Sequence, residues 1–151
     1  MKKIQIFLIL SSFFQVTTAQ YSPYQVQQEL MDTRHPIDIK YEGKLEFRGT
    51  NTEMERNIQS ATKDWWALIE EKKSELTAGL EGEKRALFLN AQTKWEQAYK
   101  ADKRFFFSSS TFLRQNVGRE GEIGCQLEFM NRVRKRALDL SEYANLFLVK
   151  E

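Results

Sequence analysis

The chain holds one cysteine and one histidine among 151 residues. A lone Cys125 leaves no internal disulfide, and a lone His35 leaves neither the usual zinc ligand sets nor a Cys–His nucleophile. Glycine is sparse too, and Gly118-Arg119-Glu120-Gly121 lacks both the preceding strand and the Lys-Ser/Thr ending of a phosphate-binding loop. Proline occurs twice, at Pro23 and Pro36. No apolar run reaches the roughly 20 residues a membrane-spanning helix needs. Many carboxylates are present, but most alternate with lysine, as in Glu70-Glu71-Lys72-Lys73 and Glu75, which is the pattern of solvent-facing helices. With no constellation of catalytic groups, a non-enzyme with no cofactor is expected; a small hydrolase is the remote alternative.

The first nineteen residues have the form of a secretory leader. Lys2 and Lys3 begin it, Ile4–Leu10 form its apolar stretch, and Thr17-Thr18-Ala19 offers a small-residue cleavage site. An uncleaved membrane anchor is the competing reading. No cysteine stands at the cut, so lipid attachment there is not expected, and localisation is read as periplasmic or secreted. The leader takes two of the 23 Lys+Arg and none of the 21 Asp+Glu, so the remainder is formally neutral. That balance gives no basic field for nucleic acid. Cys125 reads as a small core residue, with an intermolecular bridge or reactive thiol as the alternative.

Residues 20–34 read as a polar, flexible arm, 35–147 as the folded domain, and 148–151 as a tail. His35-Pro36 opens Ile37–Phe47, where Ile37, Tyr41 and Leu45 fit a short helix; the alternation from Ile37 to Tyr41 also fits a strand with a turn at Glu42-Gly43. Thr52 and Glu55 suit a capping box that starts a helix over Glu53–Ala78. Its stripe is Met54, Ile58, Ala61, Trp65, Leu68 and Leu76, interrupted by Lys72. Trp65 and Trp66 lie about 100° apart on a helix, so only one faces the core, and Trp65 matches the stripe.

Gly79–Gly82 makes a short reversal that implies antiparallel neighbours. Glu83–Phe107 is then the longest clean helical run, with neither Pro nor Gly. Leu87, Ala91, Trp95 and Ala98, with Tyr99 beside them, form its expected buried stripe, and Trp95 with Tyr99 reads as core packing. A last helix over Glu120–Phe147 carries Ile123, Leu127, Met130, Val133, Ala137, Leu140, Ala144 and Phe147. The fold class is all-α, an antiparallel bundle of three long helices with a short N-terminal helix. Candidate partner contacts are Phe106 and Phe107, since three consecutive phenylalanines cannot all face inward, together with Arg119, Glu120 and Glu122 of the expected Val117–Gly124 loop.

Four motifs in order carry a family resemblance. His35-Pro36-Ile37-Asp38 is similar to an opening His-Pro-Ile-Asp. Thr52-Glu53-Met54 with Asp64-Trp65 looks like a first long helix. Leu89–Trp95 looks like a characteristic segment ending Gln-x-x-Trp, and Arg134–Leu140 like a closing Arg-x-Arg-Ala-Leu-x-Leu. On these the chain resembles the LprI-like lysozyme-inhibitor domains of secreted and lipid-anchored bacterial proteins. The resemblance implies an all-α fold, favours the helical reading of Ile37–Phe47, and implies a non-catalytic binding protein with lysozyme or another envelope protein as partner. An envelope interaction module without lysozyme activity is the alternative. Members of this branch often carry cysteines near the positions of Lys44 and Asn57, consistent with a bridge between the short helix and the next. Both are absent here, which implies a looser N-terminal attachment.

Overall fold

A computed structural model describes residues 34–46, 49–108 and 110–148. The expected leader and all but the last residue of the arm lie outside these, as does the tail beyond Leu148. By its backbone contacts the chain divides after Arg34, and the helices described belong to the unit His35–Glu151. They are α1 (Pro36–Lys40), α2 (Asn51–Gly79), α3 (Gly82–Ser108) and α4 (Ser110–Phe147). The protein is all-α, with three long helices packed together.

The ends of α1 and α2 and the start of α3 have local causes. Pro36 occupies the first turn of α1, and the His35 imidazole Nδ1 accepts the Ile37 N–H at 3.2 Å. α1 is shorter than the expected Ile37–Phe47 and ends at Tyr41. The box that starts α2 uses Thr50 and Glu53, two residues before the expected pair. Thr50 Oγ1 accepts the Glu53 N–H at 3.2 Å, and Glu53 Oε2 accepts the Thr50 N–H at 3.0 Å. Thr-x-x-Glu occurs twice in this stretch, and the second Glu, Glu55, is engaged by Arg119 instead. After Gly79 the Leu80 N–H bonds Leu76 O, and Arg85 Nε donates to Leu80 O at 2.7 Å. Gly82 opens α3 at φ 50°, a backbone region that glycine reaches without strain.

The expected stripe of α2 is buried throughout, joined by Ile69. On α4 the buried set is Ile123, Phe129, Met130, Val133, Ala137, Leu140 and Ala144, while Phe147 is exposed rather than core. Each fully buried aliphatic side chain of this seam stabilises the fold by roughly 1.5–3 kcal/mol relative to its exposed state. α2 and α4 make the closest backbone approach, running in the same direction, and α3 runs antiparallel to both.

α3 differs most from expectation. Leu87, Ala91 and Ala98 are exposed, and Trp95 is half-buried. The buried positions are Gln92 and Tyr99, with Phe88 and Trp95 half-buried beside them. The helix faces inward along 88, 92, 95 and 99, rotated from the stripe read by hydropathy, because a glutamine holds the central core position. Large rings rather than backbone proximity join α3 to the rest. Trp66, Trp95 and Tyr99 have centroids 5.5–5.7 Å apart, and Tyr99 meets Phe129 of α4 edge-on at 5.9 Å.

The last helix also departs from expectation. It starts at Ser110 and is interrupted at Gly118 (φ 70°, ψ −176°), so Arg119–Gly124 is helical rather than a loop. A single glycine absorbs the change of direction that the run Gly118, Gly121, Gly124 suggested would be spread over a connection.

Candidate binding cleft

Two polar seams flank α4, and they engage Asp38, Asp64, Gln92, Arg134 and Arg136 of the motifs. On one side Arg134 donates from Nε and Nη2 to both Asp38 carboxylate oxygens at 2.7 Å, a paired geometry that fixes α1 against α4. The hydrogen bond to Asp38, only partly opposed by burial, raises the Arg134 pKa further. The same guanidinium lies 5.7 Å from the Trp65 ring, and His35 sits 5.0 Å from that ring. Lys40 and the Tyr41 hydroxyl both donate to Asp64, at 2.7 and 2.9 Å, and the Asn57 amide donates to Lys44 O at 3.0 Å. α1 and the turn after it are thus attached by polar bonds.

On the other side Arg136 Nε donates to Gln92 Oε1 at 2.9 Å, Gln92 Nε2 donates to Glu96 at 3.0 Å, and Lys73 donates to the same Glu96 oxygen at 3.0 Å. Gln92 is fully buried and uses both ends of its amide, which is why a polar residue is tolerated there. Burial pushes the Glu96 carboxyl up, but the hydrogen bonds from Lys73 and Gln92 outweigh it and hold its pKa below the ordinary value of 4.5. Asp64 is likewise lowered from 3.8, chiefly by Lys40, against partial desolvation.

A carboxylate whose pKa is depressed on folding contributes stability above its unfolded pKa and loses it as pH falls through the folded value. The protein is therefore expected to lose thermal stability as pH falls from neutral through 4.5 and below 3.8. A Glu96→Gln/Asp64→Asn variant should melt lower at neutral pH and change less on acidification. Melting curves across that range check this, and parallel pH profiles for variant and parent would refute it.

Between α2, α3 and α4 opens a cleft of about 510 Å³. Ile58, Tyr99, Phe129 and Met130 form its buried floor, and Trp66 and Phe107 its half-buried walls. Lys63 and Lys103 stand on the exposed rim, with Gln59, Thr62 and Gln126 as polar lining. The Tyr99 hydroxyl is buried, and no residue described meets hydrogen-bond geometry with it. Burial raises the Tyr99 pKa, and the Trp66 N–H and the Arg132 charge pull against it. A second, mostly apolar groove of about 390 Å³ lies at the other end of α3, among Leu80, Leu87, Phe88, Tyr143 and Phe147.

The expected contact residues separate into two groups. Phe106 and Phe107 are half-buried against Phe129, each at 5.6 Å, and Phe107 lines the cleft. The ring left in solvent is Phe105, 75% exposed. Arg119 donates to Glu55 at 2.6 Å and lies 3.8 Å from Glu122. Glu120 is exposed, whereas Glu122, expected on an exposed loop, is buried on the α2 side because helix replaces that loop. Cys125 is a free thiol of intermediate burial.

The sequence reading missed Lys63, Lys103, Gln59 and Gln126. A signal exists in retrospect: Gln59, Lys63 and Trp66 share one face of α2 beside the core stripe, and Tyr99, Lys103 and Phe107 recur every four residues on α3. Among the described residues no three His, Cys, Asp or Glu side chains gather as a metal site, and no helix is long and apolar enough to cross a membrane. Fold and cleft together define an all-α three-helix protein with an aromatic-floored groove. No protein-family model matches the chain, nor does any curated protein or solved structure.

Proposed function

We propose that this is a non-catalytic binding protein of the LprI-like kind, exported to the periplasm or beyond, with lysozyme as its first candidate partner. One observation carries the reading: the resembled motifs meet in space as partners. Asp38 of the opening motif holds Arg134 of the closing one, and Gln92 of the middle motif holds Arg136. The positions matching the family's two cysteines, Lys44 and Asn57, are in hydrogen-bond contact. Motifs that co-occur because they brace one scaffold would show this pattern, and it makes those residues framework rather than contact surface.

Inhibition would then be occlusion of the hydrolase cleft, with no covalent chemistry. Exposed Phe105 near the end of α3, and exposed Arg119 and Glu120 at the start of the long arm of α4, are the residues we assign to contact. A formally neutral exported chain gives little long-range attraction to a basic hydrolase, so association is expected near the unsteered range of about 10⁵–10⁶ M⁻¹s⁻¹. The test is a cell-wall lysis assay with purified protein in excess over lysozyme. Lysis is expected to slow, and Phe105→Ala to weaken the effect by roughly ten-fold. Undiminished lysis sinks the lysozyme assignment. The alternative, an envelope interaction module without lysozyme activity, draws on the apolar groove, where Leu87 and Phe147 are each 60% exposed.

A further inference from the structure

We infer that the cleft between α2, α3 and α4 binds a small amphipathic anion, an apolar or aromatic body bearing one carboxylate-type head. The assignment is independent of the lysozyme reading. Its volume of about 510 Å³ falls within the range of small-molecule sites. The floor is apolar and largely aromatic, suited to a ring or short alkyl body. The charge on its lining has one sign: Lys63 and Lys103 contribute, and no Asp or Glu does.

Neither lysine forms a salt bridge among the described residues, although the charge of Lys63 reaches Asp64. Asp64, next to Lys63 in the chain, is occupied by Lys40 and Tyr41. Lys103 has its ammonium 6.0 Å from the Tyr99 ring centre, poised over the floor. The other nearby cation, Arg132, stacks 4.8 Å from the Phe129 ring and is matched by Asp102 and Glu128. The cleft therefore presents two positive side chains beside an apolar floor with no carboxylate in its lining, and Gln59 and Gln126 add amide donors to that lining. A neutral ligand would leave those charges unused, and a cationic one would be repelled.

The test compares three molecules with one body and different heads: 4-phenylbutyrate, its primary amide and 4-phenylbutylamine. Titration calorimetry with the purified protein should show the acid binding at least about ten-fold tighter than the amide, each rim charge adding roughly five-fold, and no measurable binding of the amine. Added salt should weaken the acid and leave the amide nearly unchanged. Lys63→Glu/Lys103→Glu should abolish the preference for the acid. In the unmutated protein, NMR shifts on adding the acid should concentrate at the Trp66 indole and the Gln126 side-chain amide, so the site is located whether or not the variant folds. Equal affinity for acid and amide, no saturable binding, or shifts centred on the Leu87–Phe147 groove would each overturn the assignment.

Discussion

Trp65→Ala is expected to cost about 3–5 kcal/mol, in the range of large-to-small truncation of a buried aromatic. For a domain whose total stability is on the order of 5–15 kcal/mol, that removes a large share of it, and nearly all of it at the low end of the range. The magnitude follows from position. Trp65 is 1% exposed, on the α2 face that meets α4. It also packs against the tilted His35 ring and lies near the Arg134 guanidinium, so its removal loosens the support of α1 as well as the core. Its neighbour serves as the control. Trp66 is half-buried among Trp95 and Tyr99, and its truncation should cost distinctly less. Urea unfolding followed by far-UV circular dichroism measures both; equal losses for the two would contradict the assignment of Trp65 as the anchor.

The second large effect is a gain. Lys44→Cys/Asn57→Cys, built in a Cys125→Ala background to prevent mispairing, is expected to oxidise spontaneously. The bridge should stabilise the protein by about 2–3 kcal/mol relative to its reduced form, as for a closed loop of this size. The basis is the contact between the Asn57 amide and Lys44 O at 3.0 Å across the turn from α1 into α2. Thiol titration and paired melts with and without reductant give the answer. Persistent free thiols, or an oxidised form no more stable than the reduced one, would show that the positions matching the family's cysteines are not geometrically equivalent to them. That would also weaken the resemblance on which the proposed function rests.

The architecture was legible where burial is hydrophobic and periodic. The α2 stripe from Met54 to Leu76 and most of the α4 stripe from Ile123 to Ala144 are buried as their spacing predicts. α3 was legible as a helix but not in orientation. Hydropathy ranks Leu87 and Ala91 above Gln92, yet Gln92 is the fully buried one, because Arg136 and Glu96 satisfy its amide. A single chain read in one dimension carries no record of a partner 44 residues away. The same reason hid Glu122, whose burial depends on helix continuing through Gly121. The cleft was invisible for a related cause: its lysines and glutamines look like ordinary solvent-facing residues until three helices converge on them. Trp66, expected to lie partly exposed, and Phe107, expected as a partner contact, are both walls of that cleft.

The pair Trp65-Trp66 has a consequence for how α2 tolerates change in length. The two side chains leave one turn of helix in different directions, one bracing α1 and Arg134, the other meeting the rings of α3. Inserting or deleting one residue upstream would turn the first half of α2 by about 100° relative to this dipeptide. Met54 and Ile58 could then follow α4 only if both tryptophans left their partners together. The dipeptide acts as a phase mark for the helix, and length variation in this protein should be confined to segments outside α2.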